Sequence, residues 1–148
     1  MFQRILIVCT GNICRSPYAE AVLQLSRQDL TVTSAGLAAM VDLGVADETA
    51  LTVALERDKD LSNHVPKQVN SRIVASADLI LVMDDPQLQK LLQKYPEARG
   101  KSFKIARWRG DKDITDPYMR SADFFRLVFN EIDAAVKSWL PHLATRDH

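Results

Sequence analysis

The stretch RILIVCTGNICRSP, residues 4–17, changes character in its middle. Its first half, Arg4–Cys9, is apolar after Arg4 and rich in β-branched residues, which is typical of a strand covered on both faces. Its second half ends in Ser16 and Pro17, which favour the N-cap and the first turn of a helix. We therefore predict a buried strand, a short loop and a helix over residues 16–29.

Strand and helix patterns alternate through the rest of the chain. Further strands are predicted at 30–34, 78–83 and 102–106, and further helices at 47–57, 67–76, from 84 and from 121. This alternation predicts a single α/β domain over residues 1–148, with a four-stranded parallel sheet and helices on both faces. Ligands of such sheets bind beyond the carboxyl ends of the strands, which is where Cys9 lies.

Composition excludes several classes of protein. Nineteen basic and nineteen acidic residues leave no net charge, which argues against nucleic-acid binding and a polybasic membrane anchor. The apolar run Ile5–Val8 is too short for a signal peptide, and no segment reaches the length of a membrane span. We therefore expect a cytoplasmic protein with reduced thiols, in which Cys9 and Cys14 serve local chemistry or packing.

The loop after the first strand has the features of a phosphate cradle. The first N–H groups of a helix lack internal partners, and the helix dipole adds positive charge beside them. Gly11 can adopt a positive φ angle, and Asn12 is among the residues that tolerate one. The guanidinium of Arg15 can bind two phosphoryl oxygens at once. The predicted phosphate-binding loop comprises Thr10, Gly11, Asn12, Ile13, Cys14, Arg15 and Ser16.

Cys9 would lie at the base of this cradle as a nucleophile. Helix N-termini and neighbouring cations favour the thiolate form of cysteine, and Ser16 could donate a further hydrogen bond to it. Attack on a phosphate monoester would form a phosphocysteine intermediate. The alternative is an ordinary buried cysteine at a strand end. A Walker nucleotide loop is excluded, because it needs two glycines and a lysine before Ser or Thr.

A general acid is expected in the segment DITDPYMRS, residues 113–121. Asp116 precedes Pro117, which restricts the backbone to an extended or turn conformation, so its carboxyl group would be well placed to protonate a leaving group. Asp111 and Asp113 are rivals on composition alone. The alternative is that Asp-Pro is only a turn signal.

The motifs CTGNICRS (residues 9–16) and DPY (residues 116–118) together resemble the low-molecular-weight protein tyrosine phosphatases. The resemblance extends to SAG (residues 34–36) and DLILVM (residues 78–83). It implies Cys9 as nucleophile, Arg15 as transition-state binder and Asp116 as general acid and then general base. It also implies a fold with a four-stranded parallel sheet, and no metal or organic cofactor.

The motif SAGL and the residues Asp60, Ser62 and His64 resemble the bacterial branch of that family. Some of its members act on tyrosine kinases that control exopolysaccharide or capsule assembly. The implied partner is a phosphotyrosine protein, such as the cytoplasmic tail of a membrane tyrosine kinase. The chain departs from the branch at Pro86-Gln87, where a histidine is expected, and in its basic segment 107–109.

Two walls of a substrate cleft are predicted beside the loop. Leu37, Ala38 and Met40 follow the second strand and would form one wall. Trp108 and Tyr118 would form the other, and the resemblance implies that Tyr118 lines the family's cleft. A deep aromatic slot would exclude phosphoserine, whose phosphorus could not reach the nucleophile.

Two other residues have less specific interpretations. Cys14 is expected to pack as a small apolar residue, and the resemblance implies that it is also a redox partner that protects Cys9 through a reversible disulfide. His64 is expected to be a structural hydrogen-bonding residue rather than a catalyst.

Three alternative functions remain open. A thiol-dependent arsenate reductase shares this fold and loop but needs further cysteines. A phosphate-binding module without catalysis would require neither Cys9 nor Asp116. A redox sensor based on Cys9 and Cys14 would leave Arg15 unexplained.

Overall fold

The computed structural model describes residues 2–143. The four strands are β1 (Arg4–Cys9), β2 (Thr31–Gly36), β3 (Leu79–Val82) and β4 (Ser102–Lys104). The five helices are α1 (Arg15–Ser26), α2 (Glu48–Leu55), α3 (Ser71–Ser76), α4 (Asp85–Lys94) and α5 (Ala122–Trp139). The strands form one parallel sheet in the order β2-β1-β3-β4, so the predicted fold class is confirmed.

Alternate residues of β1 enter two separate cores. Ile5 and Ile7 pack in the core that α1 and α5 cover, whereas Leu6 and Val8 pack in the core that α3 and α4 cover. This burial on both faces explains why the strand is apolar without interruption. The arrangement brings the carboxyl end of β1 between two layers of helices, at the centre of the sheet.

Two predicted helices differ from the observed ones. Helix α3 begins only after Asn70, whose side chain accepts a hydrogen bond from the Ile73 N–H at 2.9 Å. The residues before it are extended instead, because Lys67 and Val69 exchange backbone hydrogen bonds with Gly36. Helix α1 runs over Arg15–Ser26 rather than 16–29.

Close approach of two backbone segments fixes the end of β2. A Cβ atom at Gly36 would lie 2.6 Å from the Thr10 carbonyl oxygen. Gly36 also pairs in register with Cys9. The absence of a side chain at residue 36 therefore lets the end of β2 pack closely against the loop that follows β1.

Among residues 2–143, no helix combines the length and the apolar character needed to span a bilayer.

Candidate active site

The loop between β1 and α1 owes its conformation to Asn12. Asn12 has a φ of 58°, in the left-handed region that we expected it to tolerate. Gly11 can adopt a positive φ but does not have one here. The glycine serves close packing instead, since a Cβ there would lie 3.3 Å from the Met40 Cγ atom.

The buried side chain of Asn12 ties the loop to three neighbouring segments. Its Nδ2 donates to Ser16 Oγ at 2.8 Å and to Ser34 Oγ at 3.0 Å. Its Oδ1 accepts from the Lys67 N–H at 3.0 Å. The backbone carbonyl oxygen of Asn12 lies 2.7 Å from His64 Nε2. His64 is thus hydrogen-bonded to the backbone of the loop, and it does not line the cavity that contains Cys9.

The sulfur of Cys9 lies at the floor of the loop. Ser16 Oγ is 2.8 Å from Cys9 Sγ, and the Asn12 N–H donates to the same sulfur at 3.2 Å. Because Asn12 Nδ2 already donates to Ser16 Oγ, the serine has its own proton available for the sulfur. The sequence predicted Ser16 as the N-cap of α1, and this prediction was wrong. Cys14 occupies the N-cap position, and its side chain makes no capping hydrogen bond.

Arg15 is held by two residues from outside the loop. Its guanidinium is buried, and Nη1 donates to the Ile114 carbonyl at 2.7 Å and to Asp84 Oδ2 at 3.2 Å. The other carboxylate oxygen of Asp84 caps α4 by accepting from the Gln87 N–H at 2.9 Å. Our sequence interpretation gave Asp84 only a helix-start role, because nothing local shows that it meets Arg15.

Asp116 faces the same guanidinium. Its Oδ2 lies 3.8 Å from Arg15 Nη2, and its Oδ1 accepts from the Tyr118 N–H at 3.0 Å. The side chain is about half exposed, at 53%. The two rival acids are engaged elsewhere, since both Asp111 and Asp113 pair with Lys104.

A cavity of about 120 Å³ opens above the sulfur, and we call it the catalytic cavity. It is lined by Cys9, Thr10, Gly11, Asn12, Ile13, Cys14, Arg15, Ala38, Met40, Asp116 and Tyr118. The structure thus brings together most of the predicted site residues, including both sides of the predicted cleft.

Two predicted cleft residues lie outside the catalytic cavity. Trp108 stacks on His142 with ring centres 3.9 Å apart and meets the edge of Trp139 at 5.7 Å. Leu37 lines a neighbouring cavity of about 160 Å³, which we call the α4 cavity. The α4 cavity is lined by Thr10, Leu37, Ala38, Asp84, Pro86, Gln87 and Lys90.

Both cysteines are buried and reduced. Burial raises the pKa of the Cys14 thiol well above its usual range, and the carboxylate of Asp47 raises it further. Cys14 is therefore a protonated thiol near neutral pH, whereas Cys9 meets two hydrogen-bond donors.

Gln87 is a further residue whose place the sequence did not reveal. It is buried, its Oε1 accepts from the Met83 N–H at 2.8 Å, and its Nε2 donates to Thr10 Oγ1 at 3.1 Å. The only signal was its position where the resemblance led us to expect a histidine.

The described residues 2–143 hold no group of three His, Cys, Asp or Glu side chains placed to bind a metal ion. What they do hold in one cavity is a cysteine sulfur, a guanidinium and a carboxyl group. Nucleophile, anion binder and proton donor are the three parts that transfer of a phosphoryl group to sulfur requires.

Comparisons with known proteins agree with this arrangement. A family model described as low molecular weight phosphotyrosine protein phosphatase matches residues 4–147. The low molecular weight protein-tyrosine-phosphatase Wzb of Escherichia coli K12 is 41% identical over 139 residues, 94% of each chain.

Two solved structures show the same fold. Wzb of Vibrio vulnificus in complex with benzylphosphonate is 42% identical with a TM-score of 0.91, covering 97% of this chain and all of that one. The tyrosine phosphatase AmsI of Erwinia amylovora is 39% identical with a TM-score of 0.93, covering 98% of this chain and 95% of that one.

Proposed function

Because this chain belongs to the low molecular weight phosphotyrosine protein phosphatase family, we propose that Cys9, Arg15 and Asp116 carry out the reaction of a cysteine-dependent tyrosine phosphatase. The observation on which the proposal rests most is the sulfur of Cys9 at the floor of the catalytic cavity. Two donors contact this sulfur, and Arg15 and Asp116 line the same cavity.

The first step transfers the phosphoryl group to sulfur. The Cys9 thiolate attacks phosphorus, the bond from phosphorus to the tyrosine oxygen breaks, and Asp116 gives its proton to that oxygen. Arg15 and the N–H groups of the loop bind the equatorial oxygens as charge develops on them. The products of this step are the dephosphorylated tyrosine and a phosphocysteine.

The second step hydrolyses the phosphocysteine. The Asp116 carboxylate takes a proton from water, the water oxygen attacks phosphorus, and the phosphorus–sulfur bond breaks. Phosphate leaves, the Cys9 thiolate is restored and Asp116 is protonated again. Ser16 donates to the departing sulfur from 2.8 Å, which stabilises the anion that forms.

The proposed substrate is a phosphotyrosine protein, such as the cytoplasmic tail of a membrane tyrosine kinase that controls exopolysaccharide production. Support comes from the similarity to Wzb and AmsI and from Met40 and Tyr118, which flank the catalytic cavity as apolar walls. The proposal includes a cytoplasmic location, where the thiol of Cys9 stays reduced.

The proposal also includes a protective role for Cys14. Peroxide would oxidise the Cys9 thiolate to a sulfenic acid, which the Cys14 thiol would then attack to form a disulfide, with loss of water. Thiol reductants would restore both thiols. The raised pKa of Cys14 makes this second step slow near neutral pH and faster as pH rises.

The test is a steady-state assay with a phosphotyrosine peptide, a phosphoserine peptide and arsenate side by side, with and without reductant. Hydrolysis of the phosphotyrosine peptide alone, lost in Cys9→Ser, is the expected result. Equal hydrolysis of phosphoserine would contradict the proposed selectivity, and turnover of arsenate would favour the reductase.

A further inference from the structure

The α4 cavity lies directly beside the catalytic cavity. Thr10 and Ala38 line both, so the two spaces share one rim. A residue that flanks a bound phosphotyrosine on the side of Thr10 and Ala38 would therefore lie next to the α4 cavity. The reaction proposed above assigns no step to the side chains of Thr10, Gln87 and Lys90, which line this second space.

Gln87 gives the α4 cavity a hydrogen-bond donor. Its Oε1 must accept the buried Met83 N–H, which fixes the orientation of the side-chain amide and leaves Nε2 to donate to Thr10 Oγ1. The Thr10 hydroxyl is thereby an acceptor from Gln87 and keeps its own proton free. Within residues 2–143 that proton has no acceptor.

Lys90 gives the same cavity a positive charge. Its side chain is exposed and pairs with no carboxylate in the described part of the chain. The one carboxylate of the lining, Asp84, is engaged through both oxygens with Gln87 and Arg15. The cavity therefore presents a free hydroxyl donor and a free cation.

We propose that the α4 cavity is a second subsite, which binds the carboxylate of an Asp or Glu close to the phosphotyrosine in the substrate protein. The Thr10 hydroxyl donates to this carboxylate, and the Lys90 ammonium pairs with it. The inference rests on the proposed function and adds to it the sequence class of the substrate.

The test uses phosphotyrosine peptides that differ at one flanking position, with Glu or Gln there, at each of the nearest positions on either side. One position is expected to give about a three- to tenfold higher kcat/KM for Glu than for Gln, a preference that weakens as salt is added. Lys90→Glu is expected to abolish it, while p-nitrophenyl phosphate, which has no flanking residue, keeps its kcat/KM.

Lys94→Glu is the matched control, because it makes the same charge change one turn further along α4. It is expected to keep the Glu preference. If the wild-type protein cleaves the Glu and Gln peptides equally well, the inference is overturned and the proposed function stands. Equal effects of Lys90→Glu and Lys94→Glu on the Glu preference would also overturn the inference. Wild-type protein that cleaves no phosphotyrosine substrate would overturn the proposed function itself.

The hydroxyl has its own test. Thr10→Val keeps the shape of the side chain and is expected to lower the ratio between the Glu and Gln peptides, whereas Thr10→Ser is expected to keep it. The ratio cancels any general effect on the loop. An unchanged ratio in Thr10→Val would contradict the role of the Thr10 hydroxyl in the subsite.

Discussion

Replacing Asp116 with Asn separates proton donation from loop structure. Asp116 Oδ1 accepts the Tyr118 N–H at 3.0 Å, and the amide oxygen of Asn can accept the same bond. The turn at Pro117 should therefore persist. What the variant loses is an acidic proton for the leaving oxygen, together with the carboxylate 3.8 Å from Arg15.

The size of the effect follows from what a positioned acid supplies. General acid catalysis contributes about 10²–10⁴-fold, equal to about 2.7–5.4 kcal/mol of activation free energy. The full loss is expected on phosphotyrosine, because its phenol has a pKa of about 10 and leaves poorly as an anion. Activated nitrophenyl phosphates need less protonation and should lose much less.

The assay is kcat/KM over a series of aryl phosphates with leaving groups of increasing pKa. Wild-type rates should depend weakly on that pKa, and Asp116→Asn rates should fall steeply with it. Asp113→Asn is the control, since Asp113 instead binds Lys104 and the Asp85 N–H. Equal losses of Asp116→Asn on good and poor leaving groups would refute the reasoning.

Four further results are expected. Cys9→Ser should lose turnover yet still bind inorganic phosphate, as measured by calorimetry; retained turnover would exclude the thiolate mechanism. Burial raises the pKa of Cys14, so iodoacetamide near neutral pH should label Cys9 alone in a mass spectrum, and labelling of Cys14 first would contradict this. Burial also raises the pKa of Tyr18 above its unfolded value of about 10, so its contribution to the free energy of unfolding is present below about pH 10 and lost above it. Tyr18→Phe should weaken that alkaline loss in urea titrations, and an identical pH dependence would be the contrary result. Phe129 is fully buried and stacks on Tyr18 at 3.9 Å, so Phe129→Ala should cost about 3–5 kcal/mol in the same titrations, with a loss below about 1 kcal/mol contradicting the packing.

The strands were predictable because their sequence pattern reports directly on burial. All residues of β3, and those of β1 after Arg4, are apolar, and helices cover both faces of these strands. The start of α5 was predictable for a similar local reason: the Ser121 side chain caps it through the Phe124 N–H. Local capping and periodicity are physical signals that do not depend on distant residues.

Two failures involve contacts between distant segments, and a third is local. Ser16 has the residue type of an N-cap, but Cys14 occupies that position and the Ser16 hydroxyl contacts the Cys9 sulfur within the same loop. Trp108 lies only eight positions before Asp116 in sequence, yet it packs on Trp139, whose Nε1 donates to the Ile105 carbonyl at 2.8 Å. Asp84 pairs with Arg15 across 69 positions of the chain, which no local pattern can show.

The two anchors of Arg15 have a consequence for how the protein gains its function as it folds. The guanidinium meets Asp84 and the Ile114 carbonyl, which lie 69 and 99 positions away along the chain. An oxyanion pocket that needs Arg15, Asp84 and Ile114 together forms only when these three segments have packed against one another, so forms without this packing are expected to bind phosphate more weakly. By mass action, phosphate at one hundred times its dissociation constant then adds about 2.7 kcal/mol to native stability, and the melting temperature itself reports whether the pocket has formed.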